Sequence, residues 1–156
     1  MRIQEKTASL RPREYLIGFP QTQPCGQLAR SSNRLHLTAV IAQQTFIGDP
    51  NNPQLGNQFM LNGGLFDDSS AKVGHVASSC TVVSVPPRAT EVACLSDTVL
   101  AQGKITVGGV APFPPTATPV RFSVLGGTDE FRKARGDFVV FAVAPNRLDG
   151  TFHLLG

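Results

Sequence analysis

Long apolar runs are missing from this chain, as are dense charge and the residues that favour helices. No stretch is apolar for long enough to cross a bilayer as a helix. The start, MRIQEKTASLRPREYL, has no apolar core of the kind a secretory leader carries. The expectations are no membrane partner and a cytoplasmic location. Charge is thin: 14 basic against 11 acidic residues among 156, a net of +3. Nucleic-acid binders concentrate their bases on one face, often with aromatics between them. Here the bases gather in the N-terminal arm (Arg2, Lys6, Arg11, Arg13) and in one short segment near the C-terminus, so nucleic acid is not an expected partner.

Familiar catalytic signatures are absent too. There is no GxSxG, HExxH, Walker-type loop or dinucleotide fingerprint. The three histidines, His36, His75 and His153, are far apart in sequence, so neither a metal nor a cofactor is expected. The three cysteines, Cys25, Cys80 and Cys94, form no CxxC pair, and their odd number suggests reduced, buried and inert thiols.

What the chain has is Val, Thr, Phe, Gly and Pro, and scarce Glu and Lys: a composition of strands punctuated by turns. Its length suits one domain with a tail, burying about two-thirds of the unfolded chain's surface. Residues 1–33 are polar and weakly patterned and read as an N-terminal arm or lid, with YLIGF (15–19) as one short strand candidate. From residue 34 to 156 a period-two alternation dominates. Strand candidates are 34–47, 55–63, 71–85, 90–100, 103–110, 118–125, 137–144 and 151–155, separated by GDPNNP, FDDSS, PPRA, AQG, APFPPTA, GGTDEFRKARG and PNRLDG. Eight such strands predict an all-β fold, an antiparallel barrel or sandwich.

The faces carry the functional expectation. Both faces of VGHVASSCTVV are dominated by small side chains, which either leave room for a ligand inside a barrel or permit tight sheet packing. Asp67 and Asp68 are adjacent, so on a strand they would point to opposite faces; turn chemistry suits them better than an acid–base dyad. Glu91 or Asp97 facing a cavity would be a candidate general acid.

Three segments carry a resemblance. LGNQFMLNGGLFDDSSAKVG (55–74), the ITVGG of 105–109 and FSVLGGTDEFRKARGDFVVF (122–141) are similar, in that order, to the allene oxide cyclase and dirigent-protein barrel family. In the last motif, Gly126, Gly127, Thr128, Phe131, Ala134 and Gly136 stand where the family has them, as structural positions, whereas Asp129 replaces a usual glycine. The resemblance implies an eight-stranded antiparallel β-barrel with a central cavity, usually a homo-oligomer, here a dimer or trimer. Plant members cyclise a fatty-acid epoxide or steer phenol coupling; small bacterial relatives close rings on linear polyketides by [4+2] addition. This short chain looks most like the bacterial type. The family's Asp-Asp pair falls here at Asn62 and Gly63, which favours a cavity acting by shape. The expected function is a cofactor-independent cyclase acting on a hydrophobic small-molecule substrate. Alternatives are a non-catalytic barrel that binds a hydrophobic ligand or guides another enzyme's intermediate, and a fatty-acid-epoxide cyclase. Alternation selects His36, Met60, His75, Thr106, Phe141 and His153 as cavity candidates, with no catalytic residue assigned.

Overall fold

A computed structural model describes residues 32–155. Eight antiparallel strands follow one another round a closed barrel: β1 (Ser32–Ile47), β2 (Gln58–Phe66), β3 (Lys72–Ser84), β4 (Glu91–Leu100), β5 (Gly103–Pro112), β6 (Val120–Gly127), β7 (Gly136–Ala144) and β8 (Arg147–Leu155). Pairing of β1 with β8 closes the ring, from Ser32 opposite Leu155 to Val40 opposite Arg147. Closure leaves no free sheet edge. Residues 1–31, which hold most of the expected arm, the YLIGF segment and Cys25, lie outside the described residues.

Each strand alternates, and the apolar row faces in. Leu37 and Ala39 of β1, Leu65 of β2, Val76 of β3, Leu100 of β4, Ile105 and Val107 of β5, Val124 of β6, and Phe152 and Leu154 of β8 form one buried cluster. This plug fills the end of the barrel where β1 begins and β8 ends. Ile105 is wholly buried, and Phe152 and Val107 nearly so. A second, smaller cluster of Cys80, Val82 and Val92, with Phe46, Phe59 and Phe113 packed against it, occupies the opposite end.

Two strands depart from the expectation by three residues or more. β2 runs three residues later than predicted, ending at Phe66, and β8 begins at Arg147. Leu148, Asp149 and Gly150 are therefore strand, although Asp-Gly reads as a turn signal. The reason lies across the sheet. A side chain at Gly150 would meet the Phe138 ring at 2.5 Å, and Phe138 stacks on Phe152 with ring centroids 4.3 Å apart. The glycine is a seat for an aromatic ring, not a bend.

The charged segment GGTDEFRKARG is the β6–β7 connector. It makes a single 3-10 turn over Asp129–Phe131. Thr128 ties it to β5: its Oγ1 accepts from the Lys104 amide at 3.0 Å, and its amide donates to the Lys104 carbonyl at 2.9 Å. Phe131 and Ala134 pack on the plug while Arg132, Lys133 and Arg135 are exposed. Asp129, standing where the resembled family has glycine, sits at φ +53°, a left-handed conformation that aspartate tolerates better than most residues. Gly136 closes the connector at φ +132°, where a side chain would strike the His153 carbonyl.

Candidate functional site

Between the two clusters the barrel encloses a cavity of about 130 Å³. At about 10–15 Å³ per water, that is space for on the order of ten waters or one compact organic molecule. The plug residues Leu37, Leu65, Val107 and Phe152 form its floor. Its rim is Pro112 at the end of β5, Phe113, Pro115 and Thr116 of the β5–β6 loop, and Phe141, Ala142 and Leu148 from the β7–β8 hairpin. That loop is held in place at both ends. The Phe113 amide donates to the Thr90 carbonyl at 3.1 Å, and the Ala142 amide donates to the Thr116 carbonyl at 2.9 Å. Phe113 also meets the Phe46 and Phe59 rings, at 5.3 and 5.5 Å between centroids.

No Asp, Glu, His, Lys or Arg lines this cavity among the described residues. Its polar side chains are hydroxyls: Ser78 of β3, Ser96 and Thr98 of β4, and Thr116 at the rim. The space exists because β3 and β4 place serines where other strands place Leu, Val or Phe. Of the two readings of the small residues, room for a ligand and tight packing, the inner row of β3 and β4 fits the first.

The cavity draws on the opposite faces from those selected by sequence. Of the six candidates only Phe141 is among the lining residues; His36, Met60, His75, Thr106 and His153 are not. The apolar row of this barrel turns inward, and unpaired histidines in such an interior would be costly. The outward row holds two of them, His36 and His153, in carboxylate networks that linear spacing concealed. His36 meets Asp68 of the β2–β3 turn through Nδ1 at 2.5 Å and Asp149 of β8 through Nε2 at 3.1 Å, while Thr38 Oγ1 donates to Asp149 at 2.9 Å. The hydrogen bond to Asp68, assisted by Asp149 and opposed by burial, raises the His36 pKa above its ordinary 6.5. His153 Nδ1 lies 2.8 Å from Asp137, which also accepts from Arg121 at 2.6 Å. Burial alone would raise the Asp137 carboxyl, yet His153 and Arg121 together hold it below 3.8. His75 is exposed.

The acids divide as turn and surface groups. Asp67 accepts from the Ser69 amide and hydroxyl and the Ala71 amide, the turn role expected of it, whereas Asp68 is spent on His36. Asp97 accepts from Thr106 Oγ1 at 2.6 Å and faces Lys104 Nζ at 3.3 Å; neither it nor Glu91 lines the cavity. Among the described residues no cluster of three or more His, Cys, Asp or Glu could hold a metal ion, and no helix is long and apolar enough to cross a membrane.

The cysteine expectation needs correction. Cys80 and Cys94 stand directly opposite each other on β3 and β4 and are joined as a disulfide that forms part of the cavity wall. They lie 14 positions apart in sequence, too far for a spacing motif, and only the hairpin register reveals the pair.

No family model matches the chain, and no curated protein matches it. Solved structures do. The exo-specific intermolecular Diels–Alderase AbnU aligns with a TM-score of 0.70 at 18% identity, over 81% of this chain and all of its own. A pyocyanin demethylase aligns with a TM-score of 0.67 at 22% identity, over 78% of this chain and 99% of its own. The Diels–Alderase AbmU from Streptomyces koyangensis gives 0.67 at 14% identity, over 80% of this chain and 63% of that one. At such identities the likeness establishes the fold: the chain shares its closed eight-stranded barrel with ring-forming and demethylating enzymes.

Proposed function

We propose that the barrel is a cyclase of natural-product assembly, of the polyketide type, that folds a linear precursor inside its lumen and closes a ring by [4+2] addition. The observation that carries the reading is the lining: apolar and aromatic, with no titratable side chain among the described residues. A pericyclic closure redistributes six electrons among bonds in one step and needs no nucleophile, proton transfer or redox partner. Its barrier in solution is largely that of bringing diene and alkene together. Confinement in a near-reactive geometry contributes roughly 7–11 kcal/mol in favourable intramolecular cases. Likeness of the fold to two Diels–Alderases supports the same reading.

The test is turnover of a linear substrate bearing a conjugated diene and an activated alkene. The expected product has unchanged mass, forms faster with protein than without, and has a single ring stereochemistry. Equal rates and the uncatalysed isomer ratio overturn the proposal. Demethylation of pyocyanin, with no ring closure, would place the chain with its demethylating neighbour instead. An apolar ligand held and released unchanged would make it a carrier.

A further inference from the structure

Within the apolar lumen the hydroxyls are not scattered. Ser78 and Ser96 are direct cross-strand partners on β3 and β4, and Thr98 follows two residues after Ser96 on the same inward row. Directly opposed side chains in an antiparallel pair have Cβ atoms about 5 Å apart, and residues two apart on one strand lie about 7 Å apart. The three hydroxyls thus form one compact group. Thr98 is deepest: it is only 4% exposed and pairs with Ile105 of the plug. Towards the rim the same rows continue as the Cys80–Cys94 disulfide and then Val82 and Val92, all apolar in character.

These hydroxyls lack protein partners. Ser78 Oγ has the Cys80 sulfur 4.0 Å away, and among the described residues neither Ser96 nor Thr98 makes a side-chain hydrogen bond to nitrogen or oxygen. Among the described residues the one side-chain oxygen sealed off without a partner is Ser84 Oγ, so these three hydroxyls are reached from the cavity, where they can donate to whatever occupies it. Thr98 in particular could be valine at almost no change in shape. Three donors lining one largely apolar cavity match an acceptor brought in by a ligand. A carbonyl oxygen is that acceptor: it has two lone pairs and can take hydrogen bonds from two hydroxyls at once.

We infer that Ser78, Ser96 and Thr98 form a carbonyl-binding site at the cavity floor, and that the ligand class is an apolar molecule carrying a ketone or similar carbonyl, inserted carbonyl end first. The inference deepens the cyclase reading, from which it takes a ligand in the lumen. In that setting the hydroxyls orient the precursor and draw electron density from an alkene conjugated to the carbonyl. No proton changes hands.

The experiment compares a compact ketone with its hydrocarbon, 1-decalone and decalin, by displacement of a fluorescent lumen probe from the full chain. Ser96→Ala and Thr98→Val should each weaken 1-decalone by about fivefold to tenfold while changing decalin less than about twofold. The infrared carbonyl band of bound 1-decalone should lie lower in the wild-type protein than in either variant, because donated hydrogen bonds weaken the C=O bond. Decalin binding and an unchanged melting temperature report that the variants are folded. Equal effects on both molecules, an unmoved carbonyl band, or no binding of either molecule overturns the inference. It fails separately from the cyclase reading. Ring closure that is indifferent to all three hydroxyls sinks this site alone, and ketone-selective binding without turnover leaves it standing.

Discussion

On β4, Val92, Cys94, Ser96 and Thr98 look into the lumen while Leu95 and Asp97 look out, and the two rows differ in what they can do. The inner row, repeated round the barrel, is uncharged and shaped. The outer row holds the ionisable groups, including His36 between two aspartates and His153 beside a third. Both rows belong to the same strands, so the sheet acts as a partition. Any chemistry requiring proton transfer from a described side chain belongs outside, where water competes. Any chemistry requiring exclusion of water and control of shape belongs inside. The charged surface networks fasten strands together, and in the function proposed above the lumen is the place that handles the ligand.

The comparison breaks most readily at the plug. Ile105→Ala should lose about 2–5 kcal/mol in a denaturant titration, whereas the outward Leu95→Ala should stay within about 0.5 kcal/mol. Ile105 is 0% exposed and Leu95 56% exposed, so a similar cost for the two would show that something covers the outer wall. Next comes the wall itself. Replacing both Cys80 and Cys94 by serine should cost about 2–3 kcal/mol, near the roughly 3 kcal/mol expected for closing a loop of that length. Thermal melts with and without a reducing agent check this: reductant should lower the midpoint of the wild type and leave the double variant unmoved.

Smaller effects belong to the outer row. Because the folded pKa of His36 is raised, its contribution is complete below 6.5 and is lost as pH rises through the higher folded value. The unfolding free-energy difference between wild type and His36→Gln should therefore shrink with rising pH. It should stay under about 1 kcal/mol, since water screens the groove that His36 shares with Asp68, Asp149 and Arg147. A difference that grows with pH would contradict the assignment. At the acid end the sign reverses. The lowered Asp137 carboxyl stabilises the fold above 3.8, and that support fades as pH falls through the lower folded value. Arg121→Ala should reduce this acid-side loss of stability by less than about 0.5 kcal/mol, because Arg121 is largely exposed.

Eight strands were legible because period-two alternation and Gly/Pro-rich separators recur along residues 34–155, and the resemblance turned them into a barrel. Asp67 was legible as a turn residue because its partners lie two and four residues away. The lining was not. Choosing polar residues as site candidates favoured the histidines, but their partners come from β8, the β2–β3 turn and β7, up to 113 residues distant. The serines passed unnoticed because hydroxyls of no local motif carry no signal until β3 and β4 are set in register. Gly150 misled for the same reason, since the Phe138 ring that needs it lies on another strand.

By itself the sequence determined the number, order and alternation of the strands, because these rest on local backbone preference and the spacing of apolar residues. Tertiary structure decided which face is inside, that Cys80 meets Cys94, and that Ser78, Ser96 and Thr98 share one largely apolar cavity. Those are facts of closure and register. A strand has two faces of equal standing until it is rolled into a barrel, and only then does burial select one.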